Sequence, residues 1–221
     1  MEKEDRIIMV VGRERLFNAS LENSPQRFLS PDKYDFVPKI NFYYEWKRRG
    51  DVENDPNYKQ PIAYSVILNP SLKKVFAYKR SSDVLNYSES RLAGNWCWGV
   101  GGHVEKEDVR GLEWAYDVIL RSRDRELSEE VFMDSYNKIS LLGYINDDSN
   151  DVGRVHLGIL YVVETNSDKI IPRDKEIAEG SYKDLSELEE ICKQAKITGS
   201  GVKVDNWSEI ALNPLRNFLM S

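Results

Sequence analysis

Apolar and polar positions along this chain fall into short runs that predict alternating strands and helices. Residues 6–11, with Ile7-Ile8-Met9-Val10-Val11, predict a short strand. Residues 39–49 have the spacing of an amphipathic helix, and the polar stretch Gly50–Gln60, holding Pro56, predicts a loop. That loop sets an N-terminal elaboration of about residues 1–60 apart from the main fold. Ile62–Leu68 and Lys74–Tyr78 are β-rich and flank Asn69-Pro70-Ser71, the pattern of a hairpin. Trp96–Val100 is a further apolar run that ends among Gly99, Gly101 and Gly102.

From about Leu112 to Val131 the spacing turns helical, and two β-like runs follow at Ile139–Ile145 and Val155–Val163. A short run at Tyr182–Leu185 leads into a helix, with Ser186 as its expected N-cap and an end near Ala195. Gly199-Ser200-Gly201 stops that helix, and Trp207–Met220 predicts a last amphipathic one. Hairpins mixed with crossovers predict an α/β (α+β) sandwich around a mixed β-sheet, a single domain over residues 1–221.

Of the 221 residues, 41% are hydrophobic and 31% charged, which supplies a core and excludes a disordered chain. The net charge of -6 argues against a protein that coats nucleic acid or a membrane surface, since both need a basic face. The longest apolar run near the start is five residues, too short for a secretory signal or a membrane span. Cys97 and Cys192 form no CxxC pair. A cytoplasmic protein in a reducing compartment is expected, with a small-molecule partner; a homodimer stays open.

The richest chemistry lies in Arg125-Glu126-Leu127-Ser128-Glu129-Glu130-Val131. At ~100° per residue, the three glutamates fall within an arc of roughly 100° on one helix face. Exposed like-charge pairs at this spacing cost about 0.2–0.5 kcal/mol each. A hard divalent cation such as Mg²⁺, with Mn²⁺ as the alternative ion, turns that repulsion into coordination. Upstream, Gly101-Gly102 ends a strand-like run, where a backbone carbonyl can serve as a further ligand.

In this order, the glycines and the glutamate helix resemble the Nudix hydrolase family. Its box runs Gly, five residues, Glu, seven residues, Arg-Glu, an aliphatic residue, any residue, Glu-Glu, any residue, Gly and an aliphatic residue. The Arg125 to Glu130 core matches at every fixed position. From Gly102 the box arginine would fall at Tyr116, so the alignment carries nine extra residues, expected within Lys106 to Gly111. Counting back from Arg125 instead gives Gly111 and Asp117; the Gly101-Gly102 alignment is preferred because the strand pattern runs into it. Phe132 stands where the box has its trailing glycine.

The resemblance implies cleavage of a diphosphate bond in a nucleoside diphosphate derivative by metal-activated water. It implies that Glu129 and Glu130 bind Mg²⁺, with Glu126 and a carbonyl of Gly101 or Gly102 assisting. Arg125 would steer the glutamates. A downstream acid is expected to complete the site, with Glu176 first and Glu179 second. Arg80, Arg91 and His103 are the candidate phosphate contacts. Two other readings stay open: a Nudix-fold sensor that binds a nucleotide without turnover, and an isomerase needing a Cys–Glu pair that includes Cys97.

Overall fold

The first strand, β1 (Ile7–Gly12), carries no charged side chain, and Ile8, Met9, Val10 and Val11 are all buried. In the computed structural model, which describes residues 3–82, 92–111 and 114–220, the chain divides into two compact units. The first holds Met1–Tyr64, Gly101–Arg125 and Leu142–Leu160; the second holds Ser65–Val100, Glu126–Leu141 and Tyr161–Ser221.

In the first unit, β1 pairs antiparallel with β3 (Tyr44–Arg48), from Ile7↔Arg48 to Val11↔Tyr44. It also pairs with the start of β4 (Tyr58–Asn69) through Val11↔Lys59. The helix expected over residues 39–49 is therefore corrected. Helix α2 (Val37–Tyr43) ends where Tyr44-Glu45-Trp46-Lys47-Arg48 begins an alternation of period two, and pairing with β1 outweighs the helical spacing. The loop expected at Gly50–Gln60 shrinks in the same way, because α3 (Arg49–Val52) and the start of β4 take up its ends. A second ladder joins β2 (Arg27–Leu29) to β8 (Lys138–Asn146), from Arg27↔Asn146 to Leu29↔Tyr144. Phe36 meets the rings of Phe17 and Tyr144 edge-on at 5.4 and 5.0 Å, tying the N-terminal segment to β8.

This unit also buries charge. Helix α1 (Arg13–Phe17) opens with Arg13, 2% exposed, and β4 carries Lys59 at 0%. Both reach Asp148: Arg13 with two bonds of 2.9 and 3.1 Å, Lys59 with one of 2.8 Å. Lys59 also donates to the carbonyls of Gly153 and His156 at 2.7 and 3.0 Å, which uses all three ammonium protons. Burial and the nearby Arg13 charge bring the Lys59 pKa down to about 7. Burial works against the charge of Asp148 too, but its bonds to Arg13, Lys59 and Gln26 prevail and hold the carboxyl below its ordinary range.

Within the glycine run, Gly101 has φ +155°, and a Cβ there would lie 2.3 Å from the Ala63 carbonyl oxygen. No other residue fits that approach without moving backbone.

The second unit is built on the hairpin of β4 and β5 (Lys74–Arg80), with Leu68↔Val75 and Asn69↔Lys74 in register. Strand β6 (Trp96–Cys97) pairs with β5 through Tyr78↔Cys97, and β11 (Ile177–Lys183) lies antiparallel on β5 from Ile177↔Arg80 to Lys183↔Val75. Ile67, Phe76, Tyr78, Cys97, Val100, Leu127, Val131, Val163, Ile170 and Ile177 form its core. Helix α6 (Leu185–Ala195) is capped by Asp184, whose side chain accepts from the Glu187 N–H, so Ser186 is not the N-cap. The glutamate Glu187 answers by accepting the Asp184 N–H at 2.9 Å, completing a capping box. Helix α7 (Asn206–Met220) lies against it through Lys196–Glu209 at 2.7 Å and an Arg216–Glu189 pair. No helix among the described residues is long and apolar enough to cross a membrane.

Replacing Asp148 by Asn leaves the buried Arg13 guanidinium and the Lys59 amine without their shared carboxylate. The variant is expected to lose about 3–5 kcal/mol of unfolding free energy, read from urea titrations. An unchanged midpoint would show that the ionic knot contributes nothing to the fold.

Candidate functional site

Helix α4 (Ala115–Glu130) carries the acidic cluster. Its first turns bury Ala115, Val118, Ile119 and Ser122, and its last turn buries Leu127. The Tyr116 N–H donates to the Asn41 side chain at 2.8 Å, so the helix start is held by the segment that follows β1.

Arg125 lies at the end of the part of α4 that belongs to the first unit. Its guanidinium makes a bidentate pair with Asp108, Nε to Oδ1 at 2.8 Å and Nη2 to Oδ2 at 3.1 Å. It donates as well to the His103 carbonyl at 3.0 Å. Asp108 stands six positions after Gly102, where the box carries its first carboxylate. Five residues, His103 to Glu107, lie between Gly102 and Asp108, the spacing that the box has at this point. Lys106–Asp108 is a short 3₁₀ turn closed by Glu105 and Asp108 and adds no loop. On this alignment sixteen residues separate Asp108 from Arg125, against seven in the box, so the extra length falls after Asp108 and not within Lys106–Asp108.

The His103 ring is engaged on the same unit. Its Nε2 lies 2.6 Å from Gln60 Oε1 and 3.1 Å from His156 Nε2. Gln60 donates its amide N–H to the Val52 carbonyl, which fixes Oε1 as the atom facing His103. His156 Nδ1 sits 2.6 Å from the Val152 carbonyl and so carries the proton there. Burial first, then the neighbouring imidazole, push His103 well below the ordinary histidine range; burial brings His156 down to about 4. Both rings are neutral at pH 7, His103 donating from Nε2.

Glu126, Glu129 and Glu130 belong to the second unit, Glu129 exposed and the other two half-buried. The end of α4 is tied to the segment before β11: Glu130 accepts the Arg173 N–H at 2.8 Å and the Asp174 N–H at 3.3 Å through its backbone carbonyl. In that segment the Asp174 side chain accepts the Glu176 N–H, and the Glu176 carbonyl accepts the Ser81 N–H at 2.7 Å. Glu176 is thus fixed between the end of the glutamate helix and the end of β5, which carries Arg80. Glu179 lies farther along β11, opposite Lys79 and exposed.

Arg80 donates from Nε to Cys97 Sγ at 3.3 Å and lies over the Tyr78 ring at 5.6 Å. Cys97 is fully buried, and burial pushes its thiol up to about 12 despite Arg80; the charge of Glu130 adds to the rise. A thiol so buried and so weakly acidic makes a poor nucleophile, which weighs against the isomerase reading. Cys192 is also buried, its thiol raised to about 11. Arg91 lies outside the described residues.

Among the described residues, no three His, Cys, Asp or Glu side chains are gathered to hold a metal by themselves. The donor set nevertheless suits Mg²⁺ in kind. That ion takes one or two carboxylates and fills its remaining positions with water and substrate phosphate.

No protein-family model matches the chain. Protein YmaB of Bacillus subtilis (strain 168) is 34% identical over 220 residues, spanning 97% of this chain and 100% of its own. Among solved structures, Tm1382, a candidate Nudix hydrolase, superposes with a TM-score of 0.73 at 25% identity, over 96% of this chain and 99% of its own. The Nudix domain of Shewanella oneidensis NrtR, solved with ADP ribose, shares the fold with a TM-score of 0.53 at 13% identity, over 73% and 88%. A Nudix hydrolase from Alicyclobacillus acidocaldarius does so at 0.53 and 10%, over 74% and 96%.

The histidine pair makes stability depend on pH. With a folded pKa near 4 against about 6.5 unfolded, His156 lets the unfolded chain bind more protons between those values. Unfolding free energy is expected to fall as pH drops from about 6.5 toward 4. His156→Asn should flatten that part of the curve in urea titrations at stepped pH; equal slopes would refute the assignment.

Proposed function

This chain belongs to the Nudix family, and we propose that it is a Mg²⁺-dependent hydrolase cleaving the diphosphate bond of a nucleoside diphosphate derivative. The observation that carries the reading is the Arg125-Glu126-x-x-Glu129-Glu130 run on one helix, with Arg125 clamped by the carboxylate six residues after Gly102. A like-folded domain that holds ADP ribose supports the substrate class, since that ligand presents a diphosphate between two ribosyl groups.

Glu129 and Glu130 are assigned to the metal, with Glu126 as a third oxygen donor. When bound, the ion offsets phosphate charge and lowers the pKa of a coordinated water. The protein's own work is orientation and charge. Arg125 is spent on Asp108 and on the His103 carbonyl, so it steadies its helix and leaves substrate charge to other groups. Arg80 is the assigned phosphate contact from the second unit, a guanidinium suited to paired phosphate oxygens. Glu176 is assigned to take the proton of the attacking water, its backbone held at both ends. With Nε2 turned to Gln60 and His156, His103 serves the glycine turn better than the substrate.

A panel of nucleoside diphosphate derivatives, dinucleoside polyphosphates and oxidised triphosphates, assayed with Mg²⁺, Mn²⁺ or chelator, tests this. Product is expected only with metal, and Glu129→Gln and Glu130→Gln should each lower kcat at least about 100-fold, equal to about 2.7 kcal/mol in the barrier. Full activity in both variants would overturn the mechanism. Tight nucleotide binding with no product from any member would favour a sensor instead.

A further inference from the structure

Glu129 and Glu130 are the last two residues of α4, the place where helices fray. The last four carbonyls of a helix lack partners within it, and its C-terminal end is the negative end of the dipole. In α4 that end carries three carboxylates and no basic residue in its last turn. Two residues outside the helix answer this, and Asp174 donates its backbone N–H to the Glu130 carbonyl at 3.3 Å. Arg173 donates its backbone N–H to the Glu130 carbonyl at 2.8 Å and its Nη1 to the Ser128 carbonyl at 3.0 Å. Its guanidinium lies over the ring of Phe132, 5.0 Å from the centroid.

Phe132 stands at the position of the trailing box glycine. In place of a glycine turn, Val131–Phe132 (β7) forms a two-residue ladder with Ile171–Pro172 (β10), with Ile171↔Phe132 and Pro172↔Val131. The ladder delivers Arg173 to the helix end, and the Phe132 ring steers the guanidinium that caps it.

We propose that Arg173 and Phe132 are positioning residues that fix the last turn of α4, and with it the carboxylates of Glu129 and Glu130, for the metal. The inference rests on the metal role assigned to those glutamates above. It makes the departure at position 132 a substitute device: a ring and a guanidinium cap the helix where the family pattern has a glycine. A carboxylate on a frayed end must be ordered at the moment of binding, which weakens its hold on an ion.

The test is Mn²⁺ binding to the full chain, followed by electron paramagnetic resonance without any nucleotide. Arg173→Ala and Phe132→Gly are expected to weaken Mn²⁺ about tenfold. The Mg²⁺ concentration for half-maximal activity should rise by the same factor, with KM for the nucleotide unchanged at saturating metal. Arg173→Lys, which keeps the charge, and Phe132→Tyr, which keeps the ring, should recover most of the affinity, and circular dichroism monitors the fold. Mn²⁺ binding that is equal or tighter in folded Arg173→Ala and Phe132→Gly overturns the proposal while leaving the metal reading intact. A wild-type chain that binds no Mn²⁺, or binds it equally with Glu130→Gln, sinks both.

Discussion

Three glutamates on the last two turns of one helix set an electrostatic problem at its C-terminal end. Their charges repel one another and add to the negative end of the helix dipole. Within the second unit, Arg173 brings a cation to the helix end from a distant strand. One turn earlier, Arg125 is pinned by Asp108 and the His103 carbonyl, so the residue next to the cluster cannot swing. The metal role proposed for these glutamates turns that repulsion into attraction for a divalent ion.

Much of this helix was legible from the residues alone. The carboxylate spacing is local and needs no tertiary knowledge, so the run from Arg125 to Glu130 falls on one helix both by periodicity and in the fold. Asp108 was hidden because the long stretch between it and Arg125 breaks the box spacing, although its distance from Gly102 is regular. Arg173 was hidden for a different reason: it meets α4 through β7 and β10, and two-residue strands leave no periodic trace.

The errors in the N-terminal segment have a common cause. Residues 44–48 satisfy a helical spacing and an alternating one at once, and the partner strand decides between them. At the start of α6, Asp184 and Ser186 are both good caps, and the reciprocal bond with Glu187 selects the first. The ionic knot of Arg13, Lys59 and Asp148 joins residues far apart in sequence, so no local pattern announces it. It binds the first unit by charge where its neighbours bind by apolar contact.

The burial of both cysteines reaches beyond catalysis. Cys97 and Cys192 keep their thiols protonated across the physiological range and largely out of solvent. Peroxide and alkylating reagents attack thiolates, so burial and a raised pKa slow both reactions in the folded protein. A cysteine engineered at the surface is therefore expected to take a maleimide dye in preference to either native thiol.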